Sequence, residues 1–207
     1  MKNVGSTQGR LWLKVLKRKV TLNSLLWRIA QYKPPSPQHV KTRILSAHSL
    51  HDAIWIETGT YLGDTTLKLS KIARQVISIE PQTELSEFAR KRLNRRKNVN
   101  IINETSEDCI AEILGTISGA TCFWLDGHYS GDVTYEGTAI SPVADELASI
   151  SKYLHRGNAI VVFIDDFRLF SNSASSGYPS HLSLVEWAIE NKLNWTVEHD
   201  IFIAKSI

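Results

Sequence analysis

Residues 53–66, AIWIETGTYLGDTT, constrain this chain more than any other stretch. Ile54, Trp55 and Ile56 are apolar and β-favouring, Glu57 ends the run, Gly59 and Gly63 punctuate a turn, and helical spacing resumes from Leu62. The pattern predicts a buried strand, a tight turn and a helix N-terminus. A helix start leaves backbone N–H groups unpaired, and a glycine lets a ligand approach the backbone closely; nucleotide-like cofactors use this geometry. Two glycines can equally mark only a turn. The next strand, Gln75 to Ile79, ends in Glu80, about twenty residues past the turn, where an acid can accept hydrogen bonds from both hydroxyls of a ribose. Together they make two parts of one nucleoside site.

Strands and helices alternate beyond this point. A helix of residues 84–96 follows Glu80, with Leu85, Phe88, Ala89 and Leu93 on one face; Val99 to Ile102 is the third strand. Thr105 or Ser106 is placed to cap the helix carrying Cys109, Ile110, Ile113 and Leu114. The fourth strand, Thr121 to Leu125, ends at Asp126, and the fifth, AIVVFI, ends in Asp165 and Asp166. Loops rich in glycine (127–139) and serine (171–180) follow these two ends, and strands at 195–198 and 201–204 close the chain as a hairpin turning at His199 and Asp200. Such alternation predicts an α/β fold, a Rossmann-like doubly wound, mainly parallel sheet with one antiparallel strand from the C-terminal hairpin. Ligands in such sheets sit beyond the carboxyl ends of the strands, where Glu57, Glu80, Asp126, Asp165 and Asp166 converge.

The overall charge of +3 conceals an asymmetry: residues 1–51 hold ten Lys or Arg and no Asp or Glu, so the remainder must carry −7. Leu11, Trp12, Val15 and Leu16, then Leu22, Leu25, Leu26 and Ile29, recur in this arm at helical spacing. The arm could face nucleic acid, an anionic lipid surface or an acidic acceptor, or it could complement the acidic body of its own fold. The helix breaker PPSPQ (34–38) predicts a boundary, with a basic helical appendage at 1–37 and the cofactor-binding domain at 38–207. No apolar run approaches the ~20 residues that span a bilayer. Lys14, Lys17, Arg18 and Lys19 interrupt any secretory core, although the acid-free arm partly imitates an organelle transit peptide. Cys109 and Cys122 have neither metal-ligand nor disulfide spacing, which fits a reducing cytoplasm and buried thiols.

From about Asp52 to the C-terminus the chain resembles the class I S-adenosylmethionine-dependent methyltransferases, specifically the metal-dependent O-methyltransferases of the catechol and caffeoyl-CoA type and of macrolide sugars. ETGTYLGDTT, the acid of VISIEP, ETSED, FWLDGHY and VVFIDDF carry the resemblance, in that order. It implies that Glu57, Gly59, Tyr61 and Thr65 surround the methionine part of S-adenosylmethionine, with Gly63 also at the cofactor, that Glu80 holds the ribose, and that Ser106 and Glu107 lie at the adenine. It also implies that Asp126, Asp165 and Asp166 ligate a hard divalent ion such as Mg²⁺, which would position and acidify an acceptor hydroxyl. Asp126 is thus both a cofactor and a metal residue, and cofactor contact or helix capping without metal remains the other reading of the three acids. The catechol-type enzymes place a basic lysine three residues after the first metal aspartate. Here that position is Tyr129, beside His128, so the base is His128 or Tyr129, or neither if both are structural.

The DGHY, Glu146–Leu147 and DD pattern is closest to the sugar-modifying branch, pointing to a small-molecule or glycosyl acceptor. A nicotinamide-dependent oxidoreductase is the rival enzyme, weakened because Tyr61 stands where the middle glycine of G-x-G-x-x-G belongs. A non-catalytic protein of the same fold is the third reading. A nucleic-acid acceptor is disfavoured, since the fourth strand is not followed by the aromatic, proline-containing tetrapeptide of amino-methylating enzymes. The arm leaves peripheral membrane contact open, and the oligomeric state is undetermined, with a homodimer one option.

Overall fold

The computed structural model describes residues 22–126, 141–154, 156–170 and 179–206. After helical residues 22–29, the elements run α1 (Gln38–His48), β1 (Ile54–Thr58), α2 (Asp64–Leu69), β2 (Gln75–Ile79), α3 (Thr83–Leu93), β3 (Val99–Ile102) and α4 (Ser106–Thr116). Then come β4 (Thr121–Leu125), α5 (Val143–Leu154), β5 (Ile160–Ile164), a 3₁₀ turn (Phe167–Leu169), α6 (His181–Glu190), β6 (Asn194–Glu198) and β7 (Ile201–Lys205). The seven strands form one sheet in the order β3-β2-β1-β4-β5-β7-β6. Strands β1 to β5 are parallel, while β7 runs antiparallel to both β5 and β6. Mixed sheet, flanking helices and terminal hairpin agree with the expected Rossmann-like architecture.

Period-2 alternation divides the strand side chains between two faces. Trp55, Val76, Cys122, Trp124, Val161, Phe163, Ile201 and Ile203 pack with Val40, Ile44 and Leu45 of α1 and with Leu69 of α2. Ile54, Ile56, Phe123, Leu125, Val162, Ile164 and Phe202 face the other way, against the apolar residues of α4, α5 and α6. The central strands are therefore apolar on both sides, as a sheet covered by helices on both faces requires.

Two helices stop earlier than their sequence spacing predicts. The one after the glycine turn ends at Leu69 rather than near Ala73, because Arg74 must donate to the Ala53 carbonyl for Gln75 to register with Ile54. Helix α3 ends at Leu93 rather than Arg96, and a turn closed by Arg96 N to Leu93 O starts β3 at Val99. Sheet register overrides local propensity at both ends. At the hairpin, His199 and Asp200 both have positive φ (47° and 70°), as a two-residue turn between twisted strands requires. Cys109 and Cys122 are buried, with burial pushing their thiols up to about 12 and about 11, so both remain protonated and inert.

Candidate active site at the carboxyl edge of the sheet

Strand order reverses between β1 and β4, whose ends meet where Asp126 N donates to Thr58 O. A crevice outside this reversal is where doubly wound sheets take ligands.

Glu80 lies directly beyond β2, only 4% exposed. Its two carboxylate oxygens accept from the backbone N–H groups of Tyr61 (2.7 Å) and Gln82 (3.1 Å). The sequence places Glu80 at an open strand end. Instead, burial raises its pKa, against the lowering effect of the two N–H groups, and the acid ties the β1–α2 loop to β2. A carboxylate oxygen has two lone-pair directions, so ribose hydroxyls can still be accepted beside those donors. Tyr61 itself is half exposed and held at φ 49°, presenting its ring at the edge.

Glu57 occupies a different place from the other acids. It is the penultimate residue of β1, on the face covered by α1 and α2, where its Oε2 accepts from Thr66 (2.5 Å) and Ser78 (2.6 Å). Burial raises it to about 8, opposed by the two hydroxyls and reinforced by Asp126 and Glu80, so it is a neutral acid locked inside the fold near pH 7.

The glycines divide similarly. Gly59 (φ 83°) sits in the turn next to β1, with its N–H on the Ile79 carbonyl. A Cβ on Gly63 (φ 78°) would lie 3.1 Å from Leu93 Cδ1, so this glycine serves the close packing of α2 on α3. Thr65 accepts from Gln38 Nε2 at 2.9 Å, which ties α2 to α1. Ser106 is buried in the first turn of α4, beside Glu107. Thr105 is the N-cap residue, but its hydroxyl donates to Asp108 (2.6 Å) instead of accepting a backbone N–H.

The structure brings Asp126, Asp165 and Asp166 together, with one oxygen from each within 4.8 Å of the others. Parallel pairing of β4 with β5, Leu125 opposite Ile164, brings the two strand ends side by side. Asp165 is buried, and that burial, with Asp126 close by, raises its pKa, while Lys41 opposes the rise. Asp166 has φ 51° and accepts from Arg168 Nη1 at 2.7 Å; Arg168 also grips Asp200.

Lys41 was not anticipated. From α1 its Nζ contacts Asp165 Oδ2 and lies 3.7 Å from Asp166 Oδ1. Burial pulls the Lys41 pKa down, but Asp165, with Asp126 and Asp166 behind it, more than offsets this and leaves it raised. The signal was present in the sequence, since Lys41 stands three and four residues before Ile44 and Leu45 and so shares their core-facing arc. Glu146, named with Leu147 in the sequence pattern, lies near Ser106 and Thr58. It is fully buried in the first turn of α5, where burial raises it to about 7, opposed by the Ser106 and Thr58 hydroxyls. His128 and Tyr129, with the rest of residues 127–140 that the sequence reads as a loop, lie outside the described residues.

No family profile matches this sequence, and no curated protein does. Solved structures do match its fold. A precorrin-6y C5,15-methyltransferase from Geobacter metallireducens superposes with a TM-score of 0.52 at 14% identity, over 84% of this chain and 90% of that one. An rRNA methylase from Streptococcus thermophilus gives 0.50 at 13% identity, over 84% of this chain and 96% of that one. An S-adenosylmethionine-dependent methyltransferase from Aquifex aeolicus gives 0.50 at 13%, over 82% and 92%. At such identities the likeness shows the fold alone: this chain has the fold of class I S-adenosylmethionine-dependent methyltransferases. None of these three is named as a metal-dependent O-methyltransferase, so the finer resemblance rests on the residues themselves.

Proposed function

We propose that the chain is an S-adenosylmethionine-dependent methyltransferase acting on a hydroxyl of a small-molecule or glycosyl acceptor. The observation that carries this reading is the meeting, at one sheet edge, of the Glu80–Tyr61 loop with the Asp126–Asp165–Asp166 cluster. Glu80 would hold the ribose, Gly59 and Tyr61 the methionine part, and Ser106 and Glu107 the adenine side. Domain fold and site belong to residues 38–207, because α1 contributes both Lys41 and a face of the core.

Three carboxylates of this spacing suit a hard divalent cation. When bound, such an ion supplies Lewis acidity and a template for the acceptor oxygen. The acceptor's proton would pass to the free ring nitrogen of neutral His128, or to Tyr129 if it is held as the phenolate, as the hydroxyl oxygen attacks the methyl carbon and the S–CH3 bond breaks with its electron pair left on the sulfur of S-adenosylhomocysteine. Lys41 supports a second reading, in which its ammonium is itself the cation of the cluster and methyl transfer proceeds without metal.

Thermal shift with S-adenosylhomocysteine, NAD and NADP, each with and without Mg²⁺, tests the class. Stabilisation by S-adenosylhomocysteine alone is expected; stabilisation by NAD instead would assign an oxidoreductase, and by none of them a non-catalytic fold. Calorimetric titration with Mn²⁺ then separates the two cation readings. Binding to the native chain that is lost in Asp165→Asn supports a metal. If the native chain does not bind Mn²⁺ and Lys41→Met does, the lysine is the resident cation.

A further inference from the structure

Helical residues 22–29 carry Leu22, Leu25, Leu26 and Ile29 at 56%, 52%, 54% and 70% exposure. At 100° per residue these four fall within an arc of about 100°, and Trp27 lies about 150° from its centre. Trp27 and Ser24 hold the helix to the body, Ser24 with its hydroxyl 3.2 Å from His39 Nε2 of α1, and Trp27 makes the apolar contact. It is partly buried against the core, its ring meets His199 edge-on at 5.3 Å, and its indole N–H donates to the Lys33 carbonyl at 2.9 Å. The leucine and isoleucine stripe is therefore turned away from the fold that holds the helix in place. Tyr32, 54% exposed, follows directly.

Charge narrows what can cover this stripe. Residues 1–33 hold eight Lys or Arg and no acid, and the sequence repeats the same pairing upstream, with Leu11, Trp12, Val15 and Leu16 interleaved with Arg10, Lys14, Lys17, Arg18 and Lys19. A second copy of this chain would bring another arm of the same charge to the contact, which opposes self-association through it. Nucleic acid would use the cations but not the exposed aliphatic stripe. An anionic bilayer uses both, with the aliphatic face in the acyl boundary and the cations at the headgroups.

We propose that the helix of residues 22–29, through the face Leu22–Leu25–Leu26–Ile29, docks the protein on an anionic membrane surface. The helix lies next to the acidic edge. Trp27 rests on His199 of the β6–β7 turn, whose Asp200 is gripped by Arg168 and accepts, through its carbonyl, the Phe167 N–H at 2.8 Å. Phe167 follows the Asp165–Asp166 pair directly, so docking holds the candidate site beside the membrane surface. This surface stands whether or not the methyltransferase reading holds.

The test is co-sedimentation of the full chain with phosphatidylcholine vesicles, with and without phosphatidylglycerol. Binding to the anionic vesicles alone is expected, weakening with salt. Leu25→Ser with Leu26→Ser removes apolar area and leaves charge unchanged; it should lower vesicle affinity by at least about tenfold while near-ultraviolet circular dichroism keeps the native signal. Ile29→Ser, a milder change, should give a smaller loss in the same direction. No binding by the native chain, or equal binding by the variants, overturns the proposal. So would sedimentation velocity showing a dimer that the serine variants dissociate, or tRNA binding that survives them without any vesicle binding.

Discussion

Glu57 is a carboxylate that the fold protonates. Its ordinary value near 4.5 rises to about 8, and Glu146 rises to about 7, burial being the first cause in both. The folded protein thus holds protons that the unfolded chain releases above its own carboxylate pKa, so stability is greatest below that value and declines as pH rises through the folded ones. The slope for one such group reaches about 1.4 kcal/mol per pH unit. Glu57→Gln is neutral at every pH and its amide oxygen can still accept from Thr66 and Ser78, so its melting temperature should fall less than the native protein's between pH 5 and 8. Parallel melting curves for the two would show that Glu57 is ionised in the fold. Glu80 behaves differently, since Glu80→Ala strands the Tyr61 and Gln82 N–H groups as well as removing the proposed ribose acceptor. We expect destabilisation of about 2 kcal/mol by chemical denaturation and at least a tenfold loss of S-adenosylhomocysteine affinity by calorimetry. Destabilisation with unchanged affinity would leave Glu80 a loop fastener only. The acids of the edge were legible because a strand end is fixed by its apolar run. Their bonding was not, because Thr66, Ser78, Tyr61 and Lys41 reach them only once register is set.

Gly63 belongs to the element scale, where α2 crosses α3. Replacement by alanine must place an L residue at φ 78° and press a Cβ to 3.1 Å from Leu93 Cδ1. Each effect is unfavourable, the first alone by about 1–2 kcal/mol. Leu93→Ala opens the contact without relieving the backbone. Gly63→Ala should therefore cost less in the Leu93→Ala background than in the native protein, yet still destabilise, as a double-mutant cycle in urea would show. Full additivity would mean that α3 shifts to accept the methyl group. This glycine appeared in the sequence as part of a ligand turn; its packing role depends on a helix thirty residues away and has no local signal. Alternation of strands and helices, by contrast, was readable from periodicity alone, because each central strand is apolar on both faces. The ends of α2 and α3 were not, since β1–β2 register and the start of β3 at Val99 set them.

At the scale of the whole molecule, the question is where the basic arm ends and the domain begins. PPSPQ marks a break in the sequence at residues 34–38, and α1 starts at its end, burying Val40, Ile44 and Leu45 against Trp55, Cys122 and Trp124. Three buried aliphatic side chains at about 1.5–3 kcal/mol each are comparable with the whole stability of an ordinary domain, about 5–15 kcal/mol. The described residues before Pro34 bury less, because the helical segment 22–29 meets the body through Trp27 and the Ser24–His39 contact, with its leucines exposed. Deleting residues 1–33 should consequently leave a cooperative thermal transition and S-adenosylhomocysteine affinity within about twofold of the full chain. Deleting residues 1–50 should abolish both, since it strips one face of the core and takes Lys41 from Asp165, leaving that buried carboxylate beside Asp126 without its ion-pair partner while Arg168 stays on Asp166. Scanning fluorimetry and calorimetry on the two truncations decide the boundary. A folded, ligand-competent 51–207 fragment would move α1 into the appendage and make its contact with the acidic cluster dispensable. Loss of folding in the 34–207 fragment would instead make Trp27 and its helix part of the core.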